Sequence, residues 1–266
     1  MHMDFHFSTL GHGRAVKTLA AALLAITALA ATVPAAMAVD ATALMRSAFD
    51  NWRAKTSDTT VTMVIHRPSW ERSSTMEGWT EGDDLSLARF TAPAKDAGNA
   101  TLIKKGQAWV YNPKLNQVVK IPSSTMAQSW MGSDFSYDDL SKTTDLLTRY
   151  TYKILGTGSS GGHTVYTIEA MPKPGAPVVW GKQEVKIRDD GIFLEQVFYD
   201  QDMKVARTMT VDKVGSIGGR TYPLVITMHP ADKQGQWTRI TTTEAAFDIA
   251  LPGYTFTTAN LQNPRG

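Results

Sequence analysis

The amino-acid sequence predicts a mainly β (α+β) fold: an unclosed antiparallel β-barrel of about 11–12 strands wrapped around an N-terminal helix and a helical lid. Three observations predict it. From residue 60 onward apolar residues recur with a period near 2, in segments separated by Gly, Asp, Asn and Pro clusters. A single segment of period 3.6 precedes them. Residues 123–145 then interrupt the strands with Met, Trp, Phe and Tyr, too bulky and apolar for an ordinary loop.

The helix comes first. Asp40 is a suitable N-cap, and Leu44, Met45, Ala48, Phe49 and Trp52 share one face. After Ser57 the period changes. Strands are expected at 60–66, 76–81, 85–91, 100–105, 107–111 and 117–121. After the interruption they are expected at 149–155, 164–171, 183–188, 193–199, 206–214, 224–229 and 238–245, with a short tail following Leu251-Pro252-Gly253. Gly82-Asp83-Asp84, Asp189-Asp190-Gly191 and Ser216-Ile217-Gly218-Gly219 supply turn chemistry. So many consecutive antiparallel strands make a meandering sheet rather than a parallel α/β fold. A sheet of that size must curl, which leaves an open barrel with helices packed into its mouth.

The first 38 residues read as a cleavable secretory signal. Arg14 and Lys17 form its basic region, residues 19–32 its apolar run, and Ala36-Met37-Ala38 the small-x-small cleavage pattern. The run is too short and too rich in small residues for a membrane anchor, which needs roughly 20 apolar residues. A periplasmic protein is therefore expected, with one domain over residues 39–266. The chain contains no cysteine, so neither a disulfide nor an N-terminal lipid anchor holds it, and stability must come from a core. Without the signal, which takes Asp4, Arg14 and Lys17 with it, 25 basic and 24 acidic side chains remain. That balance points neither to nucleic acid nor to charge-driven binding of an anionic membrane.

Chemistry is sparse. Gly156-Thr157-Gly158-Ser159-Ser160-Gly161 matches the dinucleotide-binding pattern formally, but that pattern must join a strand to a helix. Here a strand follows, so the stretch reads as a flexible hairpin loop. His66, His163 and His229 lie far apart and read as solvated strand-end residues rather than ligands. The pairs Asp83-Asp84, Asp138-Asp139 and Asp189-Asp190 could suggest a glycosidase, but the first and last sit in turns and the middle one opens a helix. No catalytic activity, metal or cofactor is expected.

What remains is an apolar surplus. Met126, Trp130, Met131, Phe135, Tyr137 and Leu140 lie between strands, flanked by Ser, Gly and Asp. They suit either a helix plugging the barrel or a movable lid over a lipid-sized cavity, and adaptable Met favours the lid. Alternate positions of the early strands, Met63, Ile65, Trp79, Phe90, Leu102, Trp109 and Tyr111, are expected to line that cavity. A one-residue shift of register would exchange the two faces.

Residues 87–93 and 102–113, together with Met131-Gly132-Ser133-Asp134-Phe135-Ser136-Tyr137-Asp138-Asp139-Leu140, resemble the outer-membrane lipoprotein-sorting proteins of the LolA-like superfamily. Arg188-Asp189-Asp190-Gly191, Gln196-Val197 and Tyr254-Thr255-Phe256-Thr257 are similar to later elements of that family. The resemblance implies an unclosed barrel around helices and a hydrophobic cavity for acyl chains. It implies a monomeric carrier of lipid or acylated lipoprotein, loaded by an inner-membrane exporter and unloading at an outer-membrane acceptor. It also implies an arginine on an early strand that holds the lid by hydrogen bonds, a place left open among Arg67, Arg72 and Arg89. The alternative is an envelope sensor or regulatory module that detects lipids or lipoproteins with the same fold.

Overall fold

The computed structural model describes residues 39–265; the proposed signal peptide lies outside them. Helix α1 (Ala41–Arg53) starts where expected, with the Asp40 carboxylate accepting from Thr42 N at 2.8 Å. Met45 and Ala48 on its inner face are fully buried.

Strands β1 (Thr56–Arg67), β2 (Trp70–Glu81), β3 (Leu85–Ala92), β4 (Ala100–Lys104), β5 (Gln107–Asn112) and β6 (Gln117–Lys120) form the first half. An irregular insertion follows, containing α2 (Tyr137–Ser141) and α3 (Asp145–Thr148). The second half holds β7 (Tyr150–Ser160), β8 (His163–Pro172), β9 (Lys182–Arg188), β10 (Phe193–Tyr199), β11 (Val205–Ile217), β12 (Arg220–Pro230) and β13 (Trp237–Phe247), then α4 (Thr258–Gln262). The sheet thus has thirteen strands, one for each expected segment, against the barrel total of about 11–12.

All thirteen belong to one antiparallel sheet in the order β6-β5-β4-β3-β2-β1-β13-β12-β11-β10-β9-β8-β7. Each strand pairs with its chain neighbour, except that β1 joins β13 and β6 does not pair with β7. Those two strands are the free edges, so the barrel is open. The insertion, residues 121–149, carries the chain from one edge to the other.

The six turns β1–β2, β3–β4, β5–β6, β8–β9, β10–β11 and β12–β13 lie at one end of this sheet, because antiparallel pairing alternates the ends. Helix α1 reaches the opposite end, where Arg46 pairs with Asp83 and the Arg53 guanidinium donates to the carbonyls of Gly82 (2.9 Å) and Leu85 (2.7 Å).

Two expectations need correction. Gly156–Ser160 is not a flexible loop: these residues continue β7 against His163–Thr167 past a register shift, and the turn is Gly161-Gly162, both at positive φ. Glycine is tolerated there because β7 is an edge strand. Nor is the C-terminal tail a bare end. Its Phe256 and Leu261 pack on the outer face of the sheet with Leu87, Ala100 and Leu102. Arg89 ties it down by donating to Asn260 O (2.8 Å) and Leu261 O (3.2 Å), the last carbonyls of α4. Residues 100–103 are consequently buried on both faces, and read as an unbroken apolar run around Thr101.

Candidate functional site: a lidded apolar cavity

Between α1, the insertion and the inner face of the sheet lies a cavity of about 380 Å³. Such a volume falls toward the small end of ligand sites, roughly 300–1,000 Å³. Phe49 and Trp52 of α1 close one side. Alternate residues of the later strands supply a wall: Phe193 and Phe198 on β10, Met209 on β11, Ile226 and Met228 on β12, and Ile240 on β13. Ala88, Thr101 and Ile103 line it from the early strands, and Val178, Val179 and Trp180 from the β8–β9 loop.

The lining is mostly apolar, but Arg53, Asp138, Asp139, Lys142 and Asp145 also border it. Burial pushes the Arg53 guanidinium down and the Tyr137 and Tyr150 hydroxyls up.

The insertion covers the cavity. Its sharp turn at Met131 (φ 52°) and Gly132 (φ 77°) folds Trp130 back on Phe135, with Trp130 N donating to Phe135 O at 2.7 Å. Trp130 is buried, lies 5.9 Å from the Phe90 ring, and donates from its indole to Thr101 Oγ1 at 3.0 Å. Ser136 and Asp139 then form a reciprocal capping box that starts α2.

Three arginines hold this lid. Arg67, the last residue of β1, donates twice to the Asp134 carboxylate at 3.0 Å and once to Gly132 O at 3.2 Å. The side chain of Asp134 is only 3% exposed, and Thr238 Oγ1 adds a further bond to it at 2.6 Å. Arg72 on β2 donates to Met131 O. Arg207 on β11 binds the Asp139 carboxylate (2.8 Å to Oδ2), while its guanidinium lies 4.6 Å from the ring centres of both Trp180 and Phe198. Of the three early arginines, Arg67 and Arg72 bond to the insertion. Arg89 points the other way and holds α4.

The residues singled out in the sequence divide into four groups. Trp130, Phe135 and Leu140 line the cavity. Met63, Ile65 and Phe90 face inward but form a buried cluster with Trp130 and Phe135, against which Met131 and Tyr137 pack. They support the lid and do not border the space. Met126 packs on Ile103 and Ala108 at the base of the insertion. Leu102, Trp109 and Tyr111 are on the wrong face: they belong to the outer cluster under Phe256 and Leu261. Trp79 packs against that cluster too, while also bordering the cavity. Register fixes the assignment, since Trp79, Leu87, Leu102 and Trp109 are successive cross-strand partners and must share a face.

Sequence reasoning missed the whole later wall and α1's part in the cavity. The alternating apolar residues of β10 to β13 were visible, but only the β1–β13 pairing brings them opposite the lid. His163 bonds Asp189 at 2.7 Å, and Asp190 is held by Arg188 at 2.6 Å, so the one possible metal-binding group among the described residues is a solvent-facing hairpin brace.

A family described as "uncharacterized protein" matches residues 82–263, most of the chain. The chain belongs to this family. Solved structures of similar architecture accompany this match. A DUF1329 family protein from Desulfovibrio piger superposes with a TM-score of 0.75 at 22% identity, covering 83% of this chain and 97% of its own. A protein domain from Vibrio parahaemolyticus, described as outer membrane lipoprotein-sorting, gives 0.72 at 22% identity, with 83% and 97% covered. A LolA superfamily protein from Nitrosomonas europaea gives 0.69 at 20% identity, with 84% and 99% covered. The fold is the LolA-like fold. A comparison with curated proteins finds no match. Among the described residues, no helix is long and apolar enough to cross a membrane.

Proposed function

We propose that this protein is a periplasmic carrier that holds the acyl chains of a lipid or lipoprotein in the cavity and moves them between inner and outer membrane. The observation that carries the reading is an apolar cavity roofed by a polar-latched, aromatic-rich insertion. Each methylene moved from water into such a space contributes about 0.8 kcal/mol, so a single long chain supplies ample affinity. Release requires an opposing term. Latch bonds that form only when the lid is shut provide it, because cargo that props the lid open forfeits them. An inner-membrane exporter and an outer-membrane acceptor are the partners this role needs, and a monomer suffices for it.

Native mass spectrometry of protein purified from the periplasm tests the proposal. Co-purified lipid or acylated protein is expected. Protein that is consistently empty and also ignores added fluorescent fatty acid would defeat the carrier reading.

A further inference from the structure

The inner face of β8 to β10, against which α1 packs, carries two neutral amides among mostly apolar side chains. On the inner face of β9 and β10, Gln183 sits across from Phe198 and Gln196 across from Val185. Their cross-strand neighbours on that face are Ala170 and Ile168 on β8 and Met209 on β11, and the row of Gln183 continues through Phe198 to Arg207. Both glutamines line the cavity, and Gln183 is only 4% exposed. The Gln196 amide donates to Gln183 Oε1 at 2.6 Å. Gln183 in turn sits beside the Tyr150 hydroxyl, which donates to Trp180 O at 3.0 Å in the β8–β9 loop. A short polar chain therefore runs along the wall and ends at Gln196.

A primary amide has two N–H donors and a carbonyl that accepts twice. Among the described residues, the bond to Gln183 is the only side-chain hydrogen bond of Gln196, which leaves an N–H and the carbonyl for whatever fills the cavity. Desolvating amide groups is costly unless they are partnered, so pure hydrocarbon against this wall is penalised. An acyl chain joined through an ester or amide is not: its carbonyl accepts the free N–H, and an amide-linked chain can also donate to the Gln196 carbonyl. Sites that pair buried polar groups with a ligand discriminate against analogues lacking the partner more strongly than apolar pockets do.

We infer that Gln183 and Gln196 form a polar station that selects ester- or amide-linked acyl groups and fixes where along the cavity the linkage rests. The inference depends on the carrier reading and specifies its ligand class.

The test uses pyrene-tagged ligands of one chain length: an alkane, its methyl ester and its N-methylamide. Dissociation constants are measured for the full mature chain and for Gln196→Leu and Gln183→Leu/Gln196→Leu. The wild-type protein is expected to prefer ester and amide over alkane by about 5- to 10-fold, the size of one net hydrogen bond. The double variant should lose that preference while binding the alkane at least as well, and Gln196→Leu should lose most of it. Equal preference in wild type and variants overturns the inference but leaves the carrier reading intact, because acyl binding persists. If the wild-type chain binds none of the three, the carrier reading falls and this inference with it.

Discussion

At the scale of single residues, the lid is decided by Asp134. It stands in the run Gly132-Ser133-Asp134-Phe135, conspicuous in the sequence, yet nothing local says what the carboxylate is for. Its partners, Arg67 and Thr238, lie 67 and 104 positions away and meet it only when β1 pairs with β13. Within the same segment Ser136 and Asp139 were legible, because a capping box is a local device. Arg67→Met leaves a buried carboxylate without its cation, which costs about 3–5 kcal/mol in comparable pairs. The variant is expected to melt at lower temperature and to exchange amide hydrogens over residues 126–140 faster than α1 does. Adding Asp134→Leu should restore much of the melting temperature, since apolar pairs replace buried ion pairs at little net loss. Uniform acceleration of exchange across the molecule would show that Arg67 supports the whole barrel rather than the lid.

At the scale of elements, strands were readable because alternation with turn residues is a strong local signal, and every period-2 segment became a strand. Facing was not. A one-sided sheet announces its inner face by polarity, but β2 to β5 are covered outside by the C-terminal segment and inside by the insertion. Leu102 and Ile103 are both buried, so their order carried no information about which points inward. Leu102, Trp109 and Tyr111 were assigned to the cavity for that reason. The tail looked too short to matter: α4 is only Thr258–Gln262 and Phe256 lies outside it, so no helical period marked the covering residues. One substitution separates the faces. Leu261→Ala, at a position with no exposure, removes packing worth about 2–5 kcal/mol. It should lower the melting temperature by several degrees and leave acyl-probe affinity unchanged, as measured well below the transition. An affinity loss as large as that of a lid substitution would mean that the outer layer shapes the cavity.

At the scale of the whole molecule, the opening between β6 and β7 and the insertion that spans it are one arrangement. A closed barrel would have no edge from which a chain segment could enter its interior; an open one delivers residues 121–149 directly over the cavity. The cost is two unpaired edges, of which β6 is short and β7 is mostly solvent-exposed and bulged. A volume of about 380 Å³ with the lid latched leaves little room for several acyl chains at once. In the proposed carrier role, loading is expected to lift the insertion and expose Trp130 and Phe135. The chain has no cysteine, so a designed pair can report on this without competing thiols. Asp134 and Thr238 exchange side-chain and backbone hydrogen bonds at 2.6 and 2.9 Å, close enough for Asp134→Cys/Thr238→Cys to bridge on oxidation. The oxidised protein is expected to retain pre-loaded fluorescent acyl probe and to refuse new probe, while the same protein under reductant exchanges at least as fast as wild type. Equal exchange rates in the two redox states would mean that cargo enters by another route, the β8–β9 loop with Val179 and Trp180 being the nearest, and that the latched insertion is a fixed part of the core.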